Sequence, residues 1–288
     1  MSRRSLLFMP GNNPGMLTSA DCLEADSIIF DLEDAVSLKE KDAARILVRE
    51  ALSFLPMQGV EVTVRVNPLD SPYWKEDLES IIPAKPDGIV IPKASVESVQ
   101  TMAKEIERLE EVHHTGKKTK LLLIIESAMG LIDLKNIIES SDRIDAILLG
   151  AEDLSSDMGI KRTKESKEIE YARYLVATAA RAYRIDALDT PYTDIDDVEG
   201  LEADTRFAKS IGFGGRLAIN PRQIVTIHEV FSPTQEEIEE AQIIISEAEE
   251  AEKKGLGVFS YKGKMVDLPV IKRAEQIVDS ARKWGLVR

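Results

Sequence analysis

The sequence contains one cysteine, Cys22, among 288 residues, and aromatic side chains make up only 5% of it. A single cysteine cannot form a disulfide within the chain, so the composition favours a reducing compartment, the cytoplasm. A catalytic thiol would need a histidine partner. None of the three histidines, His113, His114 and His228, ends an apolar run. We therefore interpret Cys22 as a small buried residue.

Long hydrophobic runs are also absent. The N-terminal sequence MSRRSLLFMPG has an apolar run only from Leu6 to Met9, which is too short for the core of a signal peptide. No segment approaches the roughly 18 consecutive apolar residues of a membrane helix. We therefore expect no membrane association.

Positive charge is scarce: 37 Lys and Arg residues face 51 Asp and Glu residues, for a net charge of −14. Binding to nucleic acid depends on basic patches, so this balance argues against a nucleic-acid partner. An anionic small ligand remains compatible with it, provided that individual Arg or Lys side chains face the ligand.

The chain does have a regular series of short apolar segments, which alternate with amphipathic segments of helical spacing. Nearly continuous apolar runs are typical of parallel strands covered by helices. The eight runs are SLLFMP, SIIFDLED, VEVTVRVN, DGIVIPK, KLLLIIES, DAILLGAED, RIDALDTPY and GRLAIN. This alternation predicts an α/β fold, a (β/α)8 TIM barrel. An open doubly wound sheet is the alternative, but no GxGxxG motif follows the first strand.

The segment SLKEKDAARILVREALSFL illustrates the helical spacing, and the residues expected to form its buried face are Ala43, Ile46, Leu47, Ala51 and Leu55. After residue 232 the pattern changes to a long acidic helix, a short hairpin with Lys262-Gly263 at its turn, and a last helix. We therefore predict a barrel catalytic domain over residues 1–233 and a C-terminal helical lid extension over residues 234–288.

Polar residues follow the predicted strands, and catalytic side chains of such barrels come from the carboxyl ends of strands. Those that bear on a candidate site are Asp31, Glu33, Asp34, Arg65, Asn67, Lys93, Glu126, Glu152 and Asp153. Ionised carboxylates are costly to bury without a positive partner. Glu126 and Asp153 come from neighbouring strands, so together they predict a Mg²⁺ site, with the acids after the second strand holding its waters or orienting Arg65. The alternative is that these acids are helix caps and salt bridges.

Two basic residues at strand ends suggest different chemistries. The planar guanidinium of Arg65 suits a substrate carboxylate, although it could instead only pair with Asp31 or Glu33. Lys93 could form a Schiff base with a ketone substrate, as in metal-free aldolases. The many nearby acids would raise the pKa of Lys93 and so disfavour a nucleophilic amine.

Several blocks carry a resemblance to a known family. They are RRSLLFMPGNNPGML, ADSIIFDLEDAVSLKEKDAAR, VRVNPLDSP, IIESAMGL, LLGAEDLSSDMG, INPRQI and GKMVDLPVIKRA. In order and spacing the chain resembles the citrate lyase beta subunit family, part of the HpcH/HpaI aldolase and malyl-CoA/citramalyl-CoA lyase superfamily. The resemblance implies a (β/α)8 barrel with a C-terminal lid, in trimers or hexamers. It also implies Mg²⁺-dependent carbon–carbon cleavage of a β-hydroxyacyl thioester carried by CoA or an acyl-carrier protein.

The same resemblance implies roles for particular residues. Glu126 and Asp153 match metal ligands, Arg65 is a catalytic and substrate-binding arginine, and Asp267 matches a catalytic acid supplied by a neighbouring subunit's lid. Asp267 could instead be only the N-cap of the last helix. The remaining assignments are Glu33 and Asp34 as catalytic residues, Asp31, Gly150, Ala151 and Glu152 as substrate-binding, and Arg3, Arg4, Pro10, Gly11 and Asn12 as near the thioester cofactor.

Four functions remain open from the sequence. The first is cleavage of a citryl thioester to oxaloacetate and an acetyl thioester, with citrate lyase alpha and gamma subunits as possible partners. The second is a free-standing malyl-CoA or citramalyl-CoA lyase. The others are a Schiff-base aldolase that uses Lys93 and a non-catalytic subunit.

Overall fold

The computed structural model describes residues 3–57, 59–253 and 255–287. Its first eight strands are β1 (Ser5–Pro10), β2 (Ser27–Asp31), β3 (Glu61–Arg65), β4 (Gly88–Ile91), β5 (Lys120–Ile125), β6 (Ile144–Leu149), β7 (Asp186–Asp189) and β8 (Gly215–Ala218). The helices among and after them are α1 (Pro14–Ser19), α2 (Lys41–Phe54), α3 (Trp74–Ile81), α4 (Val96–Val112), α5 (Ala128–Ile132), α6 (Leu134–Glu139), α7 (Ala151–Asp157), α8 (Glu170–Tyr183), α9 (Val198–Ser210) and α10 (Gln223–Phe231).

These eight strands form a closed barrel in sequence order, and every pair of neighbours is parallel. Strand β1 closes the barrel against β8, with Leu6 opposite Leu217. One core cluster joins most of the strands and consists of Leu6, Ile29, Val90, Leu122, Ile124, Ala146, Leu148, Leu188 and Leu217. The predicted (β/α)8 barrel is confirmed, because each apolar run became a strand with a helix or loop after it.

Helix α2 departs from its predicted buried face. Ala43 and Ile46 are exposed, and the buried residues are Lys41, Ala44, Arg45, Val48 and Ala51. The prediction was wrong because it counted only apolar side chains. Two cations occupy the inner face of this helix, and both have hydrogen-bond partners there.

The chain divides into two compact units, Met1–His228 and Glu229–Arg288. The second unit contains α11 (Gln235–Lys253), α12 (Leu268–Lys283) and a hairpin of β9 (Phe259–Tyr261) and β10 (Lys264–Val266). Lys262 and Gly263 form the hairpin turn with φ angles of 47° and 76°, the left-handed values that a two-residue turn of this kind requires. The division falls within α10, a few residues before residue 233, and a lid function for the second unit stays a prediction.

Within the second unit, α11 and α12 share a small apolar core around Ala241, Ala274 and Val278. Among the described residues, no helix is both long and apolar enough to cross a membrane. Cys22 is exposed rather than buried, and its thiol donates to Asp21 Oδ1 at 3.4 Å, so the expected burial was wrong.

Candidate active site

A cavity of about 140 Å³ opens at the carboxyl ends of the barrel strands. Its lining residues are Phe8, Asp34, Arg65, Ile124, Glu126, Gly150, Ala151, Glu152, Asp153, Thr190, Pro191 and Leu217. A larger groove, about 340 Å³, lies in the second unit among α11, α12 and the hairpin. We favour the smaller cavity as the reactive centre because a guanidinium and paired carboxylates converge there at strand ends.

Arg65, the last residue of β3, forms ion pairs with three acids at and after the end of β2. Its Nε and Nη2 donate to Asp31 Oδ1 and Oδ2 at 2.7 and 2.6 Å. Its Nη1 lies 3.0 Å from Glu33 Oε2 and 3.7 Å from Asp34 Oδ2, and its guanidinium carbon lies 4.8 Å from the centre of the Phe8 ring. Burial opposes the charge of Arg65, but the hydrogen bonds and charge of Asp31 outweigh it and raise the pKa of Arg65.

Asp31 does not reach the cavity. It is 1% exposed, and besides Arg65 it accepts hydrogen bonds from the backbone N–H groups of Glu33 and Ala35, at 2.8 and 3.1 Å. Both carboxylate oxygens are therefore fully engaged. Its predicted contact with substrate conflicts with this geometry, and Asp31 instead anchors both the loop and Arg65.

Glu33 is a buried carboxylate beside the same guanidinium. Burial raises the pKa of Glu33 to about 8. The charge of Arg65 opposes this rise, and the charges of Asp34 and Glu126 add to it. Its Oε2 lies near Arg65 Nη1 without the alignment of a hydrogen bond, since that oxygen has no hydrogen-bond donor. Glu33 is absent from the cavity lining, whereas Asp34 is exposed and lines it.

The backbone of the acidic loop is fixed by Lys41 of α2. Its ammonium donates to the carbonyl oxygens of Leu32 and Glu33, both at 2.7 Å. Asn67 donates to the Leu32 carbonyl as well, at 3.0 Å, and to Asp77 Oδ2 at 2.7 Å. The loop that carries the acids is thus rigidly tied to α2, α3 and the end of β3.

Glu126, which follows β5, sits between two backbone segments. The backbone N–H of Lys93 donates to Glu126 Oε1 at 2.6 Å. On the other side lies Gly150, where an added Cβ would meet Glu126 Cβ at 2.6 Å and Oε2 at 2.7 Å. Burial raises the pKa of Glu126 to about 7. The charge of Asp153 adds to this rise, and the hydrogen bond from Lys93 opposes it.

Asp153 lies in the first turn of α7, which starts directly after Gly150. Gly150 N–H donates to the Ile125 carbonyl at 3.0 Å, so the start of α7 is tied to the end of β5. Asp153 is exposed and lines the same cavity as Glu126, while the neighbouring Glu152 pairs with Arg162 at 3.1 Å. The predicted pair of Glu126 and Asp153 therefore shares one cavity.

These two carboxylates suit a hard divalent cation. Among the described residues, no group of three His, Cys, Asp or Glu side chains is arranged to hold a metal. Mg²⁺ commonly uses only one or two protein carboxylates and keeps several waters. Glu126 and Asp153 both line the open cavity, and the raised pKa of Glu126 fits a position that a cation would neutralise.

Arg3 and Arg4 lie at the opposite end of the barrel, so their predicted role near the cofactor was wrong. Arg3 is 2% exposed and pairs with Glu61, Asp145 and Asp186, all at the amino ends of strands, at 2.5, 2.5 and 2.7 Å. Arg4 pairs with Asp26 at 2.8 Å. Because both residues precede β1, their side chains meet the strand beginnings rather than the strand ends.

The Pro10-Gly11-Asn12 turn does lie at the carboxyl end of β1. Gly11 is buried, and its N–H donates to the Asp31 carbonyl at 2.8 Å. Asn12 donates to Glu40 Oε2 at 3.0 Å. The turn is therefore on the correct side of the barrel, and its contact with a cofactor stays a prediction.

Asp267 and Lys93 do not line the cavity that contains Arg65. Asp267 is the N-cap of α12, and its side chain accepts from Val270 N–H at 3.4 Å. Asp267 therefore caps the helix, as the alternative prediction from the sequence stated. Its catalytic role stays a prediction. Lys93 has an exposed side chain that does not line the cavity containing Arg65.

Sequence reasoning missed Thr190 and Phe8. Thr190 follows β7, is fully buried, and accepts from Ala151 N–H at 3.2 Å, which fixes the start of α7. The strand-end rule that selected the other candidates would also have found Thr190, because RIDALDTPY ends in polar residues. Phe8 had no such signal, since an aromatic residue within an apolar strand is ordinary core.

Comparisons with known proteins agree with this architecture. The family model for HpcH/HpaI aldolase/citrate lyase matches residues 4–221. The chain is 42% identical to the citrate lyase subunit beta of Leuconostoc mesenteroides subsp. cremoris, covering 99% of this chain and 95% of that protein. It is 31% identical to the mitochondrial citramalyl-CoA lyase of Rattus norvegicus, over 97% of this chain and 86% of that protein.

Among solved structures, the protein CitE of Mycobacterium tuberculosis in complex with magnesium, acetoacetate and coenzyme A superposes with a TM-score of 0.80. The two are 27% identical, and the match covers 98% of each chain. The family model alone spans most of the barrel, and relatives above 30% identity cover nearly the whole chain. This chain therefore belongs to the HpcH/HpaI aldolase/citrate lyase family.

Proposed function

We propose that this chain is a Mg²⁺-dependent carbon–carbon lyase that cleaves a citryl thioester into oxaloacetate and an acetyl thioester. The observation that carries the proposal is the convergence of Arg65, Glu126 and Asp153 on one cavity at the barrel mouth. Near full-length similarity to citrate lyase beta subunits supports the choice of a citryl substrate.

Glu126 and Asp153 would hold the cation, which when bound supplies a Lewis acid for the oxygens of the keto-acid fragment. Arg65 binds the same fragment, because a guanidinium forms charge-assisted hydrogen bonds with a carboxylate or alkoxide. Asp31 takes the N–H of Nε and one N–H of Nη2, so the second N–H of Nη2 and those of Nη1 are left for the substrate.

Gly150, Ala151 and Glu152 line the cavity, and the backbone N–H groups of the first two already donate to the Ile125 carbonyl and Thr190. We therefore assign a backbone contact with the keto acid to the N–H of Glu152, in the first turn of α7.

The reaction moves two protons. The substrate hydroxyl gives one to a general base as the bond between the carbinol carbon and the thioester α-carbon breaks, and the departing enolate takes the other from a general acid. We assign the second transfer to Asp267 as general acid, which the family resemblance implies. Glu33 and Asp34 support the charge of Arg65 and so act on the first step through it.

The proposal also covers the group that carries the thioester and the oligomeric state of the protein. The thioester is borne by CoA or by an acyl-carrier protein, with the Pro10-Gly11-Asn12 turn beside it. A homotrimer or hexamer, alone or with citrate lyase alpha and gamma subunits, follows from the family resemblance. The single free cysteine favours the reducing cytoplasm.

A free-standing malyl-CoA or citramalyl-CoA lyase is the second candidate. Relatives so named are 31–32% identical to this chain over 96–97% of it. A Schiff-base aldolase has less support, because the Lys93 side chain does not line the cavity.

A substrate panel separates these functions. Citryl-CoA, malyl-CoA and citramalyl-CoA are each incubated with the protein and Mg²⁺, and the released keto acid is identified. Oxaloacetate from citryl-CoA is the expected product. Glyoxylate or pyruvate from the other thioesters would favour the second candidate, and no cleavage of any of them would indicate a non-catalytic subunit.

A further inference from the structure

The backbone at Lys93 has an unusual conformation directly beside the candidate active site. Its φ angle is +47°, in the left-handed region that residues with a Cβ rarely adopt. Lys93 is separated from the end of β4 by a single residue, Pro92. Backbone strain of this kind persists only where surrounding contacts enforce it, and it is concentrated at functional sites.

The left-handed turn directs two successive N–H groups at the end of β5. Lys93 N–H donates to Glu126 Oε1 at 2.6 Å, and Ala94 N–H donates to the Ile124 carbonyl at 3.1 Å. The first bond fixes one oxygen of Glu126. The second locks the segment that supplies the first, because it continues the backbone pairing between the two strand ends.

The ammonium of Lys93 forms no hydrogen bond with Glu126, although its charge slightly opposes the rise in the pKa of that carboxyl. The side chain of Lys93 is exposed and lines a separate cavity with Pro68, Asp70 and Ser95. Within the described part of the chain, its ammonium has no hydrogen bond or ion pair. The contact with Glu126 therefore depends on the backbone of this residue and not on its amine.

We propose that Lys93 is a positioning residue that acts through its main-chain amide, holding Glu126 Oε1 so that Oε2 stays available to a cation in the cavity that Asp153 also lines. The proposal rests on the proposed function, because it assumes that Glu126 binds a divalent cation. Lys93 would thus act through its backbone N–H, whereas a lysine at a strand end suggests a role for the side-chain amine.

Substitutions at Lys93 separate the backbone from the side chain. Glycine adopts the left-handed conformation freely and asparagine tolerates it, so Lys93→Gly and Lys93→Asn keep the N–H in place. A β-branched residue is strongly disfavoured there, so Lys93→Val displaces the N–H. Loss of a group that orients a metal ligand typically weakens metal binding by about 10- to 100-fold.

Lys85 offers a matched control. It also has a left-handed backbone, with φ of +59°, but it precedes β4 and so lies at the opposite end of that strand. Its N–H donates to the Ile82 carbonyl at 3.0 Å, away from any carboxylate of the site. Lys85→Val introduces the same backbone conflict and should lower stability without changing metal affinity.

The test is binding of Mn²⁺, as a paramagnetic substitute for Mg²⁺, to the full chain without substrate, measured by electron paramagnetic resonance. We expect Lys93→Gly and Lys93→Asn to bind within about threefold of the unchanged protein, and Lys93→Val at least about tenfold more weakly. Thermal melting confirms that each variant is folded. If Lys93→Val does not fold, Lys93→Thr replaces it, because this smaller side chain is also β-branched and should weaken Mn²⁺ binding in the same direction.

Equal loss of Mn²⁺ binding in Lys93→Gly and Lys93→Val would overturn the proposal, because the side chain would then be the essential group. Unchanged binding in Lys93→Val, or in Lys93→Thr where it replaces that variant, would overturn it too. Weaker binding in Lys85→Val to the same degree would show a general effect of stability. Failure of the unchanged protein to bind Mn²⁺ would instead refute the proposed metal-dependent function.

Discussion

The guanidinium of Arg65 and the carboxylate of Asp31 meet through two hydrogen bonds, 2.7 and 2.6 Å long, at the ends of neighbouring strands. Asp31 also accepts two backbone N–H groups of its own loop, so it cannot move without disturbing that loop. The pairing leaves the outer N–H groups of Nη1 and Nη2 of Arg65 for a ligand. A residue that would otherwise be a mobile cation is thereby held in one orientation at the cavity.

Replacing Arg65 with lysine should remove this orientation. Lysine carries a positive charge but cannot form a two-point contact with Asp31 and still face the cavity. We expect Arg65→Lys to lower kcat/KM by about 100-fold. Arg108→Lys is the control, because Arg108 forms only a surface pair with Glu105. Activity of Arg65→Lys equal to that of the control would show that Arg65 has no more than a structural role.

Gly150→Ala should displace the side chain of Glu126, which packs directly against the Gly150 backbone. The added Cβ would lie 2.6 Å from Glu126 Cβ, closer than real contacts allow, so Glu126 or the start of α7 must shift. We expect Mg²⁺ affinity to fall at least about tenfold and the free energy of unfolding to fall by about 1–3 kcal/mol. Calorimetric titration and urea unfolding measure the two effects.

Gly257→Ala is the matched control, since no heavy atom lies within 4 Å of an added Cβ there. It should leave both quantities unchanged. If Gly150→Ala also retained full metal affinity, the close approach of Gly150 to Glu126 would not matter for the site.

Asp267→Asn separates the two roles open to this residue. Asparagine caps a helix as well as aspartate does, so α12 and the melting temperature should be preserved. Asparagine cannot transfer a proton, so exchange of the α-protons of acetyl-CoA with solvent should stop. Nuclear magnetic resonance in deuterium oxide follows that exchange. A fully active Asp267→Asn would restrict Asp267 to capping.

Arg3→Met tests the placement of Arg3 at the amino ends of the strands. Its removal leaves the carboxylates of Glu61, Asp145 and Asp186 without their shared partner. Breaking a buried ion pair on one side costs about 3–5 kcal/mol of stability. We expect a loss of that order in urea unfolding, with the KM for the thioester unchanged. A raised KM at unaltered stability would return Arg3 to the cofactor site.

His228 should make stability depend on pH. Burial lowers its pKa below 6.5, with Asp26 and Glu24 opposing and Arg4 reinforcing that effect, and its Nε2 lies 2.7 Å from Ser5 Oγ. Because the unfolded chain binds this proton more readily, the stability that neutral His228 contributes is complete above pH 6.5 and falls as the pH drops below it.

Urea unfolding between pH 7.5 and 5.5 measures this effect. His228→Gln keeps a hydrogen-bonding side chain but does not titrate, so its free energy of unfolding should fall less over the same interval. Equal slopes for the two proteins would show that His228 is protonated equally in the folded and unfolded states.

The barrel was predictable because parallel strands covered by helices must be apolar on both faces, which leaves continuous runs such as KLLLII in β5. The strand-end rule then selected Arg65, Glu126 and Asp153 for one mouth, and they do line one cavity. Both the strands and the strand-end residues could be predicted because each depends only on residues that are close together in the sequence.

Other features depend on contacts between distant segments, which no local pattern records. Lys41 and Arg45 are buried on α2 because backbone carbonyls and Asp77 lie opposite them. Arg3 stands next to an apolar strand just as a site residue would, yet its partners are at the other end of the barrel. The left-handed turn at Lys93 is equally hidden, because lysine gives no signal for it.

Metal-dependent cleavage is tested most directly by release of oxaloacetate from citryl-CoA, measured for the unchanged protein and for Asp153→Ala during Mg²⁺ titration after EDTA treatment. We expect that EDTA abolishes release, that Mg²⁺ restores it in the unchanged protein, and that Asp153→Ala remains inactive at the same Mg²⁺ concentrations. Release that survives EDTA, or an Asp153→Ala variant as active as the unchanged protein, would contradict this expectation.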